Sequence, residues 1–402
     1  MTDKKTLNWP FYGWIAVIGA GIIIGIWGVV TLLIRGHGVT GATDQIPWGI
    51  FVPTYVFFVL MSSGLCMISS IGHVFGVKKY ELIVKRAVFL AIVTMIAGGT
   101  LILLDLGRPL NAVYFLLSPN PTSPMWWMFA LYIVYLTLML AELYLLLTKA
   151  DFKKLRVVGS FTLVCAIAAP STLGAIFGFA FARPYFGEIF APLYFILTAI
   201  VAAAALLAFV IIIEYRVTKK QMNPELKSFM TADLGTLLAL VLGITIIFVI
   251  WKNLGGLTSP VETTVLAYQY MLSKWWYWVL VVGMGLLAPF VLLLKPGTGK
   301  LNGLLAASIL VLIGMFTYRF EFVVGGQIVA LVPGLQHLEW PFGSYTITST
   351  DVTTAVFAFS LGALLYTLGT RVLNLGEVPH QPRTADVNTP QFDEQSTQCV
   401  EG

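Results

Sequence analysis

Ten apolar stretches, each close to the length of a membrane-crossing helix, constrain this chain more than any other feature. They run over residues 14–34, 48–75, 87–104, 125–148, 157–181, 189–213, 229–251, 275–294, 302–320 and 352–373. A helix needs about 20 apolar residues to cross roughly 30 Å of hydrocarbon. Within lipid each backbone N–H and C=O must find its partner inside the protein, so such runs predict an all-α integral membrane protein with ten transmembrane helices. Composition agrees. Hydrophobic residues make up 58% of the 402 positions and charged residues 11%, against about 25% charged in a soluble domain. That is too little charge to cover the two or three soluble domains this length could otherwise hold. Lys4 and Lys5 before the first run imitate a secretory signal, but the run is too long for one and no A-x-A cleavage site follows. The ninth run is the least defined, because Arg319 and Glu321 crowd its end.

The basic residues set the direction. With the N-terminus in the cytoplasm, the cytoplasmic segments hold 18 of the 24 Lys and Arg residues. The other side keeps Arg35, Arg108, Arg183, Lys252, Lys274 and Arg319. This is the asymmetry that the positive-inside rule expects, and one span more or fewer would scramble it. The expectation is a multi-pass protein of the cell membrane with both termini cytoplasmic. The net charge of +5 is thereby spent on topology and gives no reason to expect a nucleic-acid partner; membrane lipid is the surrounding partner. From Glu377 onward the chain is polar, net acidic and carries Pro379, Pro382 and Pro390, which predicts a disordered cytoplasmic tail.

An internal repeat organises the spans. Ile50-Phe51-Val52-Pro53-Thr54-Tyr55 opens the second span and Ile189-Phe190-Ala191-Pro192-Leu193-Tyr194 the sixth, 139 residues later and in the same direction. Gly178 precedes Arg183 by five residues, as Gly314 precedes Arg319. The pattern predicts two parallel four-helix bundles, spans 2–5 and 6–9, with spans 1 and 10 peripheral. The implied units are residues 1–47 (first span and outer loop), 48–183 and 184–320 (the two bundles), 321–376 (outer loop and last span) and the 377–402 tail. Parallel repeats also occur in transporters, so the repeat alone does not choose a function.

Charged and polar residues at membrane depth are costly and are therefore the natural candidates for function. At the end of span 3, Asp105-Leu106-Gly107-Arg108-Pro109 stops the helix and leaves a carboxylate and a guanidinium three residues apart at the outer interface. A helix-ending ion pair is the plain alternative, worth little when exposed. Gln45, Trp48, Trp126, Trp127, Arg183, Tyr185 and Arg319 lie near the same face. An aromatic belt explains most such rings. Their convergence with arginines also suits a pocket for a flat amphipathic ring with carbonyl oxygens, such as a quinone, with aromatic faces holding the ring and a carboxylate exchanging its proton. Toward the cytoplasm, Glu142 in span 4 and His73 near the end of span 2 are candidates for a proton path; Glu214 and Asp233 sit at the inner ends of spans 6 and 7, and Ser62, Ser63, Ser69 and Ser70 line span 2. Snorkelling side chains are the alternative there.

Several chemistries are excluded. Of the four histidines, only His73 lies in a span, which argues against a transmembrane haem with two axial histidines. Cys66, Cys165 and Cys399 have no ligand spacing, so neither an iron–sulfur cluster nor a zinc site is expected on this chain. No Walker, HExxH or GxSxG motif is present.

Asp44-Gln45-Ile46-Pro47-Trp48-Gly49 before span 2, Ser63-Gly64 within it and Asp105-Leu106-Gly107-Arg108-Pro109 after span 3 resemble the NrfD/PsrC family, the membrane subunits of polysulfide reductase-type respiratory complexes. Ten spans in two parallel units match its longer branch, similar to HybB, ActC and DsrP. The resemblance implies a haem-free site for menaquinone or another quinone on the outer side. It also implies an extracytoplasmic iron–sulfur partner and further redox subunits of molybdopterin, cytochrome c or hydrogenase type, and in some members coupling to proton movement. Carried over by motif, Asp105 would exchange the proton, while Arg108 and Trp48 would bind the quinone, with Arg183, Tyr55 and Trp126 beside them. Some relatives carry a His-Gln-Ser type segment in the helix corresponding to span 5, where this chain has Ala169-Pro170-Ser171-Thr172-Leu173-Gly174. Asp105 is the substitute candidate for that histidine. The expected function is thus a quinone-interacting membrane subunit of a multisubunit oxidoreductase. A secondary transporter and a structural anchor with a degenerate quinone site remain the alternatives.

Overall fold

The computed structural model describes residues 9–180, 183–186, 190–294, 301–328 and 342–376. Among them, ten helices are long and apolar enough to cross a membrane, and the chain is an all-α, multi-pass membrane protein. They are α1 (Trp9–Arg35), α2 (Phe51–His73), α3 (Val84–Asp105), α4 (Pro124–Leu147) and α5 (Phe152–Gly178). The second half adds α6 (Ala191–Thr218), α7 (Pro224–Leu257), α8 (Tyr277–Leu294), α9 (Leu301–Gly325) and α10 (Ser349–Val372). Each expected run has its helix. The cytoplasmic tail expected from Glu377 lies outside the described residues.

Local chemistry sets the ends. Asp151 caps α5 by accepting the Lys153 N–H, and Thr348 with Asp351 forms a capping box on α10. Gly107 at φ +69° and Pro109 stop α3, as that sequence predicts. The ninth span differs from its expected end at residue 320. Arg319 and Glu321 are both buried, and the helix passes through them in a wider π-type turn to Gly325. Charges end a span only where they must reach water; here protein surrounds them instead.

Helices α2, α3, α4 and α5 pack in a ring, and α6, α7, α8 and α9 repeat it. The rings meet through α2 and α6, with α5 against α6 and α2 against α9. Helices α1 and α10 pair with each other outside this core, α10 leaning on α3. Lipid gives helices no hydrophobic reason to associate, so contact relies on close backbone approach at small residues. A Cβ on Gly64 of α2 would lie 2.6 Å from both the Ala199 carbonyl carbon and the Ala203 Cβ of α6. Gly64 therefore holds the crossing of the two rings. Every residue of α2 in its span window is buried, whereas α1 exposes Ile23, Trp27 and Ile34.

The helix ends define two faces. One carries the starts of α2, α4, α6, α8 and α10 and is sparsely charged; the other is rich in lysine and arginine. On the basic face Lys79 pairs with Asp233 at 3.2 Å and Arg86 with Glu214 at 3.3 Å, each tying the first ring to the second.

Candidate functional site

On the sparsely charged face the segment before α2 is held by side chains from the far end of the chain. Gln327, just beyond α9 and 1% exposed, acts as a peptide edge: its Oε1 accepts the Trp48 N–H at 3.0 Å, and its Nε2 donates to the Trp48 carbonyl at 3.0 Å and to the Val323 carbonyl at 2.8 Å. Arg183 completes the clamp, donating from Nη1 to the Gln327 carbonyl at 3.0 Å and from Nη2 to the Gln45 carbonyl at 3.1 Å. Burial lowers the Arg183 pKa from its ordinary value. The Trp48 ring, fixed by its backbone, lies edge-on to Phe177 at 5.5 Å and beside Phe186 at 6.1 Å. Arg183 is thus a strut, with two of its nitrogens committed to backbone carbonyls.

The second group centres on Asp105. Its half-buried carboxyl lies within electrostatic reach of His37, Asp351 and Tyr345. The His37 ring packs over Gly107, where a Cβ would come 3.3 Å from His37 Nε2. That nitrogen is buried and has no hydrogen-bond partner among the described residues. Asp351 organises the surroundings: one carboxylate oxygen accepts from the Gly41 N–H at 2.9 Å, the Thr348 N–H at 3.0 Å and the Tyr345 hydroxyl at 3.2 Å. Tyr345 accepts the Ile50 N–H at 2.9 Å, which joins this group to the Trp48 segment. Burial pushes the Tyr345 hydroxyl above its ordinary pKa, and the Asp351 charge adds to the shift, so it remains a donor. Arg108 is exposed, its carbonyl accepts the Asn111 N–H at 2.9 Å, and its guanidinium makes no hydrogen bond or ion pair with another described residue.

The remaining expected residues fall elsewhere. Tyr55 is buried one turn into α2, its hydroxyl 3.5 Å from Met128 Sδ and its ring edge-on to Tyr132. Trp126 donates its indole N–H to the Phe115 carbonyl at 2.8 Å and so braces the segment after α3. Arg319 and Tyr185 turn into the second ring. There Lys252 Nζ donates to the Tyr318 hydroxyl at 3.1 Å and lies 4.8 Å from the centre of the Phe322 ring. The Tyr185 hydroxyl donates to Glu321, and Arg319 to the Thr198 hydroxyl.

His73 and Glu142 meet at the opposite end of the first ring. His73 Nε2 is 3.0 Å from a Glu142 oxygen, and both side chains are almost fully buried. The angles are poor for a straight hydrogen bond, but the distance makes them direct neighbours. His73 Nδ1 lies 3.0 Å from the Ser69 carbonyl, which can only accept, so Nδ1 carries a hydrogen. Along the same seam Tyr135 donates to the Ser62 carbonyl at 3.0 Å, and Cys66 lies among Tyr135, Ser70 and Glu142.

The sequence singles out Trp48, Asp105, Arg183, His73 and Glu142 as candidates; His37, Gln327 and Tyr345, which the structure places beside the first three, were not among them. His37 lies in the loop right after the first span, flanked by Gly36 and Gly38; a histidine between glycines at a span end was the available signal. Gln327 and Tyr345 carried none, because their partners are 279 and 295 residues away.

Comparison with known proteins fits this architecture. Residues 38–331, well over half the chain, match the family described as polysulphide reductase, NrfD. The chain is 27% identical to a selenate reductase subunit of Mesobacillus selenatarsenatis, over 78% of this chain and 82% of that protein. It is 26% identical to the Hdr-like menaquinol oxidoreductase integral membrane subunit of Archaeoglobus fulgidus, over 91% and 93%. With the menaquinone reductase integral membrane subunit of Nitratidesulfovibrio vulgaris it shares 22% identity over 94% of each. The match begins one residue after His37 and takes in Trp48, Asp105, Arg183 and Gln327, and the chain belongs to the NrfD polysulphide reductase family.

Proposed function

We propose that this chain is the quinone-reactive membrane subunit of a multisubunit oxidoreductase, with menaquinone or a similar quinone as its membrane substrate. The observation that carries the reading is that Asp105 lies within electrostatic reach of His37, whose buried Nε2 beside Gly107 lacks a partner among the described residues. Two proton-exchanging groups at a helix end, next to a rigid aromatic wall, suit a ring bearing two oxygens. The names of the Archaeoglobus and Nitratidesulfovibrio relatives, a menaquinol oxidoreductase and a menaquinone reductase membrane protein, support it.

In this reading a bound quinone supplies the two-electron chemistry, and the chain supplies position and protons. Trp48 offers a ring face held by Gln327 and Arg183. His37 donates or accepts at Nε2, and Asp105 holds the second proton in place of the histidine that some relatives carry in the fifth span. Arg108, exposed and uncommitted, is the guanidinium available to an oxygen at the rim. The sparsely charged face is taken as extracytoplasmic from the distribution of basic residues, with both termini in the cytoplasm. An iron–sulfur partner docks there to exchange electrons with the quinone, because the histidines and cysteines of this chain are not spaced to hold haem or a cluster. The His73–Glu142 pair serves as the inner end of a proton path along α2 and α4.

The test is purification of the chain with its partner subunits, followed by quinone extraction and quinol-dependent turnover. Bound quinone, copurifying cluster-bearing subunits and loss of turnover in Asp105→Asn, with the complex still assembled, are expected. A lone, quinone-free protein, or full turnover in Asp105→Asn and His37→Gln alike, would overturn the assignment.

A further inference from the structure

A deep apolar cavity lies away from this site. It has a volume of about 610 Å³ and is walled by α10 on one side and by α6 and α9 on the other, with α2 and α3 as its floor. The cause is in the packing: α10 leans on α3 and pairs with α1, so its opposite flank stands off from the second ring. Phe57, Phe58, Leu90, Phe209, Phe316 and Phe359 line it. Phe359 is 42% exposed and Ile313 43%, so the crevice opens sideways to the surrounding membrane. It follows α10 from Phe359 to Arg371, roughly 18 Å at ~1.5 Å per residue, which is close to the depth of one leaflet of a hydrocarbon core ~30 Å thick. A void so apolar does not hold water, and leaving it empty forfeits dispersion contacts along every wall. Hydrocarbon must fill it.

The polar end identifies what the hydrocarbon is attached to. It lies at the basic face, where Glu214 is the acidic residue of the lining. Glu214 is already engaged, by Arg86 at 3.3 Å and by the Tyr366 hydroxyl at 3.0 Å. Arg86 is 7% exposed, and its Nε and Nη1 have no hydrogen-bond partner among the described residues. At the mouth the Arg371 guanidinium rests 4.2 Å from the Phe11 ring centre, exposed and with no acid paired to it among the described residues. Arg86 and Glu214 offset each other, so the Arg371 charge stands uncompensated among the described residues at the basic end of the apolar crevice. We infer that this crevice is a phospholipid site: one acyl chain fills it, and an anionic headgroup phosphate is held between Arg371 and the Arg86–Glu214 pair. Charge-assisted bonds from guanidinium to phosphate supply selectivity for anionic lipid, and the chain supplies the fit.

The experiment uses the assembled complex, washed extensively in mild detergent, with retained phospholipid and quinone quantified by mass spectrometry. The wild type should keep about one phospholipid per chain, enriched several-fold in anionic headgroups over the source membrane. Ala363→Phe and, separately, Thr317→Phe fill the crevice and should abolish retention. Arg371→Gln is exposed and leaves the crevice intact, so it should keep a lipid but lose most of the anionic enrichment. Mixed micelles of phosphatidylglycerol should raise the thermal midpoint of the washed wild type more than phosphatidylcholine, and the filled variants should not respond. The inference is overturned by absence of retained phospholipid, by an isoprenoid quinone retained in its place, or by an unchanged headgroup composition in Arg371→Gln. That last variant decides the matter even where a filled variant fails to assemble.

Discussion

Replacing Gln327 by leucine tests the clamp that holds Trp48. The substitution keeps an apolar side chain of similar size at a position 1% exposed and removes three hydrogen bonds: from the Trp48 N–H, to the Trp48 carbonyl and to the Val323 carbonyl. An unpaired buried backbone group costs ~1–3 kcal/mol. Trp48 is half-buried, so water recovers part of this, and a local cost of about 2–4 kcal/mol follows for the segment before α2. At ~1.4 kcal/mol per factor of ten, its amides should exchange with solvent roughly 30- to 1,000-fold faster. Hydrogen-exchange mass spectrometry on peptides covering residues 43–50 reads this directly, with peptides in the α2 interior as the unchanged control. Gln327→Glu sharpens the test: it still accepts the Trp48 N–H but turns a carboxylate oxygen toward two carbonyls, so it should open the segment at least as far at neutral pH and recover as the acid protonates. Unchanged exchange in Gln327→Leu would refute the claim that this amide positions the tryptophan.

Four further outcomes follow from the same geometry. Asp105→Asn should lower quinol-dependent turnover by ~10²-fold or more, as loss of a positioned proton-exchanging group does, while complex yield is unchanged. Arg108→Ala should abolish quinol turnover with a stability change within about 0.5 kcal/mol, the expectation for an exposed side chain without fixed partners; a thermal scan and a turnover assay separate the two effects. Arg183→Lys cannot serve the Gln327 and Gln45 carbonyls together, so it should cost about 1–2 kcal/mol of local stability and raise KM for quinol more than it lowers kcat. Glu142→Gln can donate its amide to the His73 lone pair and keep the packing; electron transfer should persist while any proton movement across the membrane, followed with a pH-sensitive dye in vesicles, is lost.

What the sequence revealed and what it hid divide along a physical line. The ten helices follow from local properties, namely apolar length and the flanking basic residues, and each was legible within a window of about 20 residues. Asp105 with Gly107 and Pro109 was legible for the same reason, since a stop signal and a charge sit side by side. The ninth span was misjudged at its end because Arg319 and Glu321 read as interfacial charges, and only the packing of α6, α7 and α9 shows them enclosed. Arg183 and Arg319, similar in the repeat, have opposite fates: one braces the Trp48 segment, while the other is buried against Phe195 and Thr198. Pattern cannot separate them, because the difference lies in partners far away in the chain.

The two rings share a helix order yet place their buried charge at opposite ends, and this bears on how the proposed function could involve protons. In the second ring Lys252, Arg319 and Glu321 gather near the sparsely charged face, where the candidate site also lies. In the first ring the buried His73–Glu142 pair sits near the basic face. Helix α2 joins the two levels: Tyr55, next to the Trp48 segment, begins a line that continues through Ser62, Cys66 and Ser69 to His73, one residue every turn or two on one side of the helix. Helix α4 answers it with Tyr132, Tyr135, Met139 and Glu142 at the same spacing. A buried charge is tolerated only beside partners that can share it, so a proton crossing this fold needs polar stations at both levels within one ring. The α2–α4 seam supplies them, with the gap between Tyr55 and Ser62 as its widest step. The charges of the second ring lie at the level of the site itself, where they add to its field.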